Sequence, residues 1–250
     1  MKLLGEISMG NLKNVVWLCQ AGFLFELDDV RVVVDPYMTN SCGKPRGRFD
    51  RMVPSPVSFE ALKPDFVFFS HDHRDHYDDE TVPVLYKMYS KCFFAGPIST
   101  CEHFKAQGFD SLKFQTLAKN NSYDFKFFKV SPTTAYHSDS HALGYIFDFG
   151  GRKIYFSGDS EYSETLADDI KKAGGNNIDM AFVVINGKLG NMNWQQAVKL
   201  VSQLKPRMAV PMHYGLFAEN TENPVPFKNE IEKIGVKCEL PEAGKNLKFV

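Results

Sequence analysis

The sequence predicts an α/β protein in which two β-sheets pack face to face between outer helices, a four-layer αββα sandwich. The chain has 250 residues, 44% of them hydrophobic, which is enough for a substantial core. Strand-like apolar segments occur in both halves, and helical segments join them in a similar order in each half. Two facing sheets with helices outside would bury this amount of strand. We expect a single domain over residues 1–250.

The first half opens with three predicted strands, rich in Val, Phe and Leu and separated by turn-prone residues: 14–19, 23–27 and 30–35. Residues 38–56 have no apolar period and predict a long loop, and loops of this length are often functional. After a short predicted helix at 59–62, the continuous apolar run 65–69 predicts a strand buried on both faces.

The remaining elements alternate along the chain. Helices are predicted at 80–91, 100–107, 161–173, 194–204 and 227–234. Strands are predicted at 92–95, 112–117, 122–130, 144–149, 153–156, 180–185, 208–212, 237–240 and 247–250. Pro83 falls in the first turn of its helix, where proline is tolerated.

The charge balance and the cysteines narrow the function classes. With 29 basic and 30 acidic residues, the chain offers no long-range attraction for nucleic acid or an anionic membrane. Five dispersed cysteines without a CxxC pair indicate reduced thiols rather than a disulfide framework. No signal peptide or membrane-spanning run is evident. We expect a cytoplasmic protein with a small, anionic substrate, compatible with a homo-oligomer.

The strongest chemical signal follows the buried strand 65–69, where His71, His73, Asp75 and His76 lie within six residues. Neutral imidazole is the commonest metal ligand in proteins. Alternate side chains of an extended segment share a side, so the first two histidines can reach one ion. A turn towards the next helix would bring Asp75 and His76 to a second ion. The alternative is a solvated polar loop with one Asp capping the helix.

Three more candidate ligands, His137, Asp159 and His213, each lie at or just past the end of a predicted strand. We assign His71, His73 and His137 to a first ion, and Asp75, His76 and His213 to a second, with Asp159 between them. Imidazole and carboxylate ligands suit Zn, Mn or Fe, as one or two divalent ions. Taken alone, Asp159 could instead cap a helix and His213 could be a core residue.

For two further residues near these motifs, His141 and Asp35, a role as a metal ligand has to be weighed against another role. His141 competes with His137 for the same role, and we prefer His137 because it is nearer the preceding strand. Asp35, at the end of the third strand, is expected to support a ligand or a turn rather than bind metal.

These motifs together resemble the metallo-β-lactamase superfamily from end to end: HDHRDH at 71–76, Tyr136-His137, Phe156-Ser157-Gly158-Asp159 and Met212-His213. The resemblance implies the metallo-β-lactamase fold. Residues 186–193 and 211–218 further resemble the branch that contains L-ascorbate-6-phosphate lactonase. That branch implies a sugar-lactone phosphate substrate and manganese.

The expected chemistry is hydrolysis by a metal-bound water whose pKa is lowered towards neutrality. Asp75 and Asp159 would steer the nucleophile, and His213 or Tyr214 would stabilise the leaving oxygen. Arg46 and Arg48, with Lys44 and Arg51, could bind a substrate phosphate or form a solvated basic loop. Lys188 and Asn193 could line the pocket or serve only as a turn and a helix N-cap.

Three functions remain in order of preference. The first is hydrolysis of a small phosphorylated or carboxylated lactone or ester. The second is a phosphodiesterase or nuclease that uses the same metal site, although no basic face or added substrate-binding arm is evident. The third is a metal-binding module without catalysis. β-Lactamase activity itself is not expected, because no export signal is evident.

Overall fold

The computed structural model describes residues 9–45 and 47–248, in which two β-sheets form. The first sheet contains β1 (Asn14–Trp17), β2 (Phe23–Glu26), β3 (Arg31–Val34), β4 (Phe66–Phe68), β5 (Phe93–Gly96) and β6 (Phe114–Thr116). The second contains β7 (Tyr123–Asp124), β8 (Lys129–Thr134), β9 (Leu143–Phe149), β10 (Arg152–Phe156), β11 (Met180–Val184), β12 (Met208–Met212) and β13 (Lys237–Cys238). In both sheets the spatial order of the strands is their order in the chain.

Six α-helices connect the strands: α1 (Phe59–Leu62), α2 (Thr81–Met88), α3 (Ile98–Ala106), α4 (Leu166–Lys172), α5 (Trp194–Leu204) and α6 (Pro224–Lys233). Each sheet begins with antiparallel neighbours, β1 to β3 or β7 to β10. Each then continues with parallel neighbours, β3 to β6 or β10 to β13, and one helix joins each parallel pair. The similar order of elements in the two halves is therefore confirmed.

The first sheet is buried on both faces, as its alternating side chains show. On β2, Phe23 and Phe25 belong to the core between the sheets, whereas Leu24 packs on the opposite side with Leu85 of α2. The Phe23 ring lies 4.6 Å from that of Phe182 on β11 in the second sheet. Fully burying one such side chain contributes about 1.5–3 kcal/mol.

The outer face of the second sheet is covered by the other three helices. Ile170 of α4, Leu200 of α5 and Ile231 of α6 are fully buried and belong to the same core cluster as β10 to β12. Helices therefore lie outside both sheets, which confirms the four-layer αββα sandwich.

One predicted strand, 122–130, is wrong, because the chain forms a tight hairpin there. β7 and β8 pair antiparallel, with Lys126 in the left-handed region at a φ of 70°. The Asp124 side chain accepts a hydrogen bond from the Lys126 amide at 2.7 Å, so a local turn replaces continuous strand. β8 then extends to Thr134 and ends closer to His137 than expected.

Several other boundaries differ from prediction, and the predicted strand 112–117 begins as a 3-10 helix over Ser111–Lys113 before β6. Helix α4 begins at Leu166 rather than 161, and the Glu161 amide donates to the Tyr136 carbonyl at 2.7 Å. The predicted strand 247–250 falls partly on residues 249–250, which lie outside the described residues. Leu247 pairs only locally with β1, donating its amide to the Val15 carbonyl at 2.8 Å.

All five cysteines are buried and none forms a disulfide, as their spacing predicted. In residues 9–45 and 47–248, no helix combines the length and apolar character that crossing a bilayer requires.

Candidate metal centre

The candidate ligands converge because their strands end at one edge of the sandwich. His71 follows β4, His137 follows β8, Asp159 follows β10 and His213 directly follows β12. In the second sheet, β8, β10 and β12 run in the same direction. Binding sites in α/β sheets commonly form outside the carboxyl ends of the strands.

The first group of ligands consists of His71, His73 and His137. Nδ1 of His73 lies 3.0 Å from Nε2 of His71 and 3.1 Å from Nε2 of His137. The opposite ring atom of His73, Nε2, lies 3.2 Å from the Ser138 hydroxyl. One ligand atom from each histidine thus faces a common point, an arrangement that can hold a metal ion.

The second group consists of Asp75, His76 and His213. Oδ2 of Asp75 lies 3.3 Å from Nε2 of His213 and 3.7 Å from Nε2 of His76. Both histidines are buried, whereas the Asp75 side chain is 18% exposed. These three candidate ligands therefore also lie close enough together to hold a metal ion.

Asp159 lies between the two groups. Its Oδ1 is 3.4 Å from Nε2 of His76, and its Oδ2 is 3.1 Å from Nε2 of His213 and 3.9 Å from Nε2 of His137. Asn191 donates to Oδ2 at 2.7 Å and so fixes the carboxylate. Gly158, at a φ of 56°, permits the close turn before Asp159.

A buried hydrogen-bond chain orients two of the histidines. Asp35 accepts from the Ser70 hydroxyl at 2.6 Å and lies 2.7 Å from Nδ1 of His76. A carboxylate only accepts, so this Nδ1 carries a proton, and in the neutral ring it is Nε2 of His76 that has the lone pair facing the site. The Ser70 hydroxyl in turn lies 2.9 Å from Nδ1 of His71. Asp35 thus has the supporting contacts expected of it.

Burial and the nearby carboxylates shift the pKa values of four of the histidines in different directions. Burial lowers the pKa of His71 well below the ordinary value, and it also lowers that of His137. Burial acts the same way on His213, but the Asp159 carboxylate outweighs it and raises the pKa of His213 to about 9. Asp159, Asp75 and Asp35 similarly outweigh burial at His76 and raise its pKa well above the ordinary value.

The residues present fit divalent metal ions. Nε2 of His76 and Oδ1 of Asp159 are buried and have no hydrogen-bond partner among the described residues. Buried polar atoms are rarely left unpaired without a functional reason, and an ion between them would satisfy both. Imidazole and carboxylate donors without thiolate suit Zn²⁺, Mn²⁺ or Fe²⁺.

The site opens into a cavity of about 310 Å³, lined by ligands of both groups together with Phe49, Leu189, Asn191 and Asn220. A second cavity of about 500 Å³ adjoins it and shares Phe49 and Leu189. Arg48 and Lys188, two predicted substrate-binding residues, line this outer cavity with Glu219.

Other predicted substrate-binding residues are placed elsewhere. Asn193 is the N-cap of α5, in a reciprocal capping box with Gln196, which is the alternative that the sequence left open. Tyr214 packs its ring 5.0 Å from that of Trp17 and lines neither cavity. Capping and core packing thus engage these two side chains, and their contact with substrate stays a prediction.

The basic residues of the loop 38–56 have different surroundings. Arg46 lies outside the described residues. Arg51 points inward and donates to the carbonyl of Tyr37 at 2.8 Å, so it holds the loop together. Lys44 is exposed and lines neither cavity. His141 is exposed and outside the ligand groups, whereas His137 is inside.

Several residues of the site were not predicted from the sequence. Gln20 is fully buried and donates to Asp75 at 2.8 Å. Phe49 and Leu189 form the apolar wall between the two cavities. Gln20 belongs to no motif, whereas Asn191 lies inside the segment 186–193 that resembles a known branch.

Comparison with known proteins agrees with this fold. A Deinococcus radiodurans protein named UPF0173 metal-dependent hydrolase is 28% identical over 240 residues, covering 88% of this chain and 93% of that protein. Among solved structures, Igni18, a metallo hydrolase from Ignicoccus hospitalis, superposes with a TM-score of 0.77 at 22% identity, covering 95% of this chain and 98% of its own. An isothiocyanate hydrolase from Delia radicum gut bacteria superposes with a TM-score of 0.75 at 16% identity, covering 95% and 99%.

A family model described as "Beta-lactamase superfamily domain" matches residues 14–213, which include every candidate ligand. The chain therefore belongs to the metallo-β-lactamase superfamily.

Proposed function

We propose that this chain is a metal-dependent hydrolase that cleaves a small ester or lactone with an anionic group. One observation carries the proposal: the Asp159 carboxylate lies within 3.4 Å of ligand atoms of His76 and His213 and 3.9 Å from one of His137. A carboxylate shared between two groups of ligands is suited to hold two ions close together beside one substrate.

Divalent ions bound here would supply a water of lowered pKa and polarise the oxygen of the attacked bond. His71, His73 and His137 would hold one ion, and Asp75, His76 and His213 the other. Asp159 and Asp75 supply carboxylates that can accept the proton lost by the attacking water. Asn191 keeps Asp159 in place, and Phe49 and Leu189 limit the access of bulk water.

The outer cavity supports an anionic substrate. Arg48 and Lys188 line it together with Glu219, and among the described residues no ion pair involves either cation. The Lys188 ammonium donates to the Glu219 main-chain carbonyl at 3.1 Å. The Arg48 guanidinium stacks over the Phe49 ring at 4.6 Å. A ligand bound across both cavities would have its reactive bond at the metal ligands and a carboxylate or phosphate beside the two cations. A phosphorylated sugar lactone has this form.

Named relatives support a hydrolase. The Deinococcus radiodurans relative is called a metal-dependent hydrolase, and the structural neighbour from Delia radicum gut bacteria is an isothiocyanate hydrolase. The metallo-β-lactamase fold hosts more than one reaction, so the residues of the site, not the fold, carry the proposal.

The test is turnover of three substrate sets: neutral and carboxylated aryl esters, small lactones with and without a phosphate, and an aryl phosphodiester. Each set is assayed after chelation and after separate return of Mn²⁺, Zn²⁺ and Fe²⁺. We expect ester or lactone hydrolysis that chelation abolishes and one metal restores. His73→Ala should abolish it, whereas His141→Ala, which changes an exposed histidine outside the ligand groups, should not.

Other outcomes would contradict the proposal in different ways. Turnover of the phosphodiester alone would replace it with a phosphodiesterase acting at the same ligands. Tight metal binding without turnover of any set would favour a non-catalytic metal-binding module. Hydrolysis that survives both chelation and His73→Ala would exclude this site as the source of the activity.

A further inference from the structure

Gln20 reaches the site from an unexpected place, the turn between β1 and β2. The residue is fully buried. It and Cys19 both adopt left-handed backbone, with φ of 52° and 74°. For residues other than glycine this conformation is strained. The contacts around Gln20 must therefore hold the turn in place.

One of those contacts comes from the Trp17 indole, which donates to the Gln20 main-chain carbonyl at 3.0 Å, and the others lead to the second ligand group. The Gln20 amide nitrogen, Nε2, donates to Oδ2 of Asp75 at 2.8 Å and lies 3.1 Å from Nε2 of His213. The Gln20 carbonyl accepts from the His213 amide at 2.9 Å. His213 itself has a left-handed φ of 64°, so this main-chain bond helps to fix the ring where β12 ends.

The first ligand group has no such tie. Among the described residues, no hydrogen bond joins Gln20 to His71, His73 or His137. The first group is instead oriented by Ser70 and Ser138.

We propose that Gln20 is a positioning residue that sets the metal affinity of the Asp75–His76–His213 group and leaves that of the His71–His73–His137 group unchanged. The inference rests on the proposed function only in requiring that the site binds divalent ions. It assigns to the second ligand group a support that the first group lacks.

The physical reason lies in Asp75, whose side chain is 18% exposed while that of His76 is fully buried. A partly exposed carboxylate can rotate towards the cavity, and the Gln20 N–H holds its Oδ2 facing the two histidines. Removing a hydrogen bond that orients a metal ligand typically weakens the metal affinity by about 10–100-fold. The second ion should therefore bind that much more weakly without Gln20.

The experiment is calorimetric titration of Mn²⁺ into the metal-free chain. We expect the wild type to bind two equivalents. Gln20→Met keeps the length of the side chain but has no amide. It should lower the Mn²⁺ affinity of the second equivalent about 10–100-fold and leave that of the first unchanged. Gln20→Gly, which also relieves the left-handed backbone, should do the same. Gln203→Met on α5, a partly buried glutamine that lines neither cavity, is the matched control and should bind as the wild type.

Equal weakening of both equivalents in Gln20→Met and Gln20→Gly would show a general structural role and overturn the inference. Unchanged binding of the second equivalent would also overturn it. A wild type that binds one equivalent and still hydrolyses ester would contradict the inference while leaving the proposed function intact. A wild type that binds no Mn²⁺, Zn²⁺ or Fe²⁺ would remove both.

Discussion

The carboxylate of Asp35 lies 2.7 Å from Nδ1 of His76, and both side chains are fully buried. Asp35 also accepts hydrogen bonds from the amide and hydroxyl of Ser70, at 2.7 and 2.6 Å. One carboxylate thus joins the end of β3 to the segment that follows β4 and selects the ring nitrogen of His76 that faces the site.

Replacing Asp35 by Asn should weaken metal binding about 10–100-fold, because the uncharged amide orients His76 less firmly. Asn tolerates the left-handed backbone that Asp35 adopts at a φ of 46°, so the fold should be retained. Competition with a chromophoric chelator measures the affinity. Asp28→Asn, at an exposed turn, is the control, and equal loss in both variants would contradict the assigned role.

The charged pair of His213 and Asp159 predicts the pH dependence of stability in the metal-free chain. The pKa of His213 is raised from 6.5 to about 9, so the folded state binds its proton more tightly than the unfolded state does. The resulting stabilisation is complete below about pH 6.5 and is lost as the pH rises through about 9. Thermal melting of the metal-free chain from pH 6 to pH 10 should show this decline.

The metal-loaded chain provides the contrast. An imidazole that binds metal is already neutral, so the decline through about pH 9 should shrink after metal is added. An identical pH profile for the metal-free and metal-loaded chains would argue against His213 as a ligand.

Arg48→Ala and Lys188→Ala should raise KM for anionic substrates and leave kcat nearly unchanged. Both residues line the outer cavity, and neither belongs to a ligand group. Loss of one charge-assisted hydrogen bond, about 1.5–3 kcal/mol, corresponds to roughly a 10–150-fold rise in KM. Steady-state kinetics on matched neutral and carboxylated esters measures the difference. Lys119→Ala is the control, and an equal effect on neutral esters would contradict an anion site.

Gly158→Ala should both destabilise the fold and impair metal binding. A Cβ at this position would approach the Leu143 carbonyl at 2.8 Å and the Ser70 Cβ at 2.9 Å. Such overpacking costs about 1–3 kcal/mol, in addition to the left-handed strain, and it displaces Asp159. Gly235→Ala is the control: its φ of 78° gives the same left-handed backbone strain, but the new methyl meets open space and causes no overpacking. Urea unfolding and metal content of both variants separate the two effects.

Phe182→Ala should destabilise the fold by about 3–5 kcal/mol. The Phe182 ring is fully buried and contacts the rings of Phe23 and Phe25 across the two sheets, at 4.6 and 5.6 Å. Urea unfolding at 25 °C measures the change. Metal bound per folded molecule should stay the same, since the residue touches no ligand; its loss would show that core and site are coupled.

Much of the fold and the arrangement of the candidate ligands could be predicted from the sequence because both follow from short, local patterns. His71 and His73 alternate directly after an apolar strand, and Asp159 and His213 come at strand ends, which parallel strands bring to one edge. The two-faced burial of β2 and β4 likewise shows in their apolar runs.

The residues that were missed depend on long-range contacts. Gln20 lies 55 positions before Asp75 and in a turn without a motif, so nothing local indicated their hydrogen bond. Asn191 and Asn193 are two positions apart, and only the structure shows that one holds Asp159 while the other caps α5. The hairpin in 122–130 was missed because Phe125, Phe127 and Phe128 made the turn look like continuous strand.

The measurement that tests the central claim most directly is the metal content of the purified chain and of Asp159→Ala, by elemental analysis after equilibration with Mn²⁺, Zn²⁺ or Fe²⁺. Because Asp159 lies between the two ligand groups, we predict close to two ions per wild-type chain and a clear loss in the variant, with both chains folded by circular dichroism. A wild type that retains no metal, or a variant that retains as much as the wild type, would contradict the account.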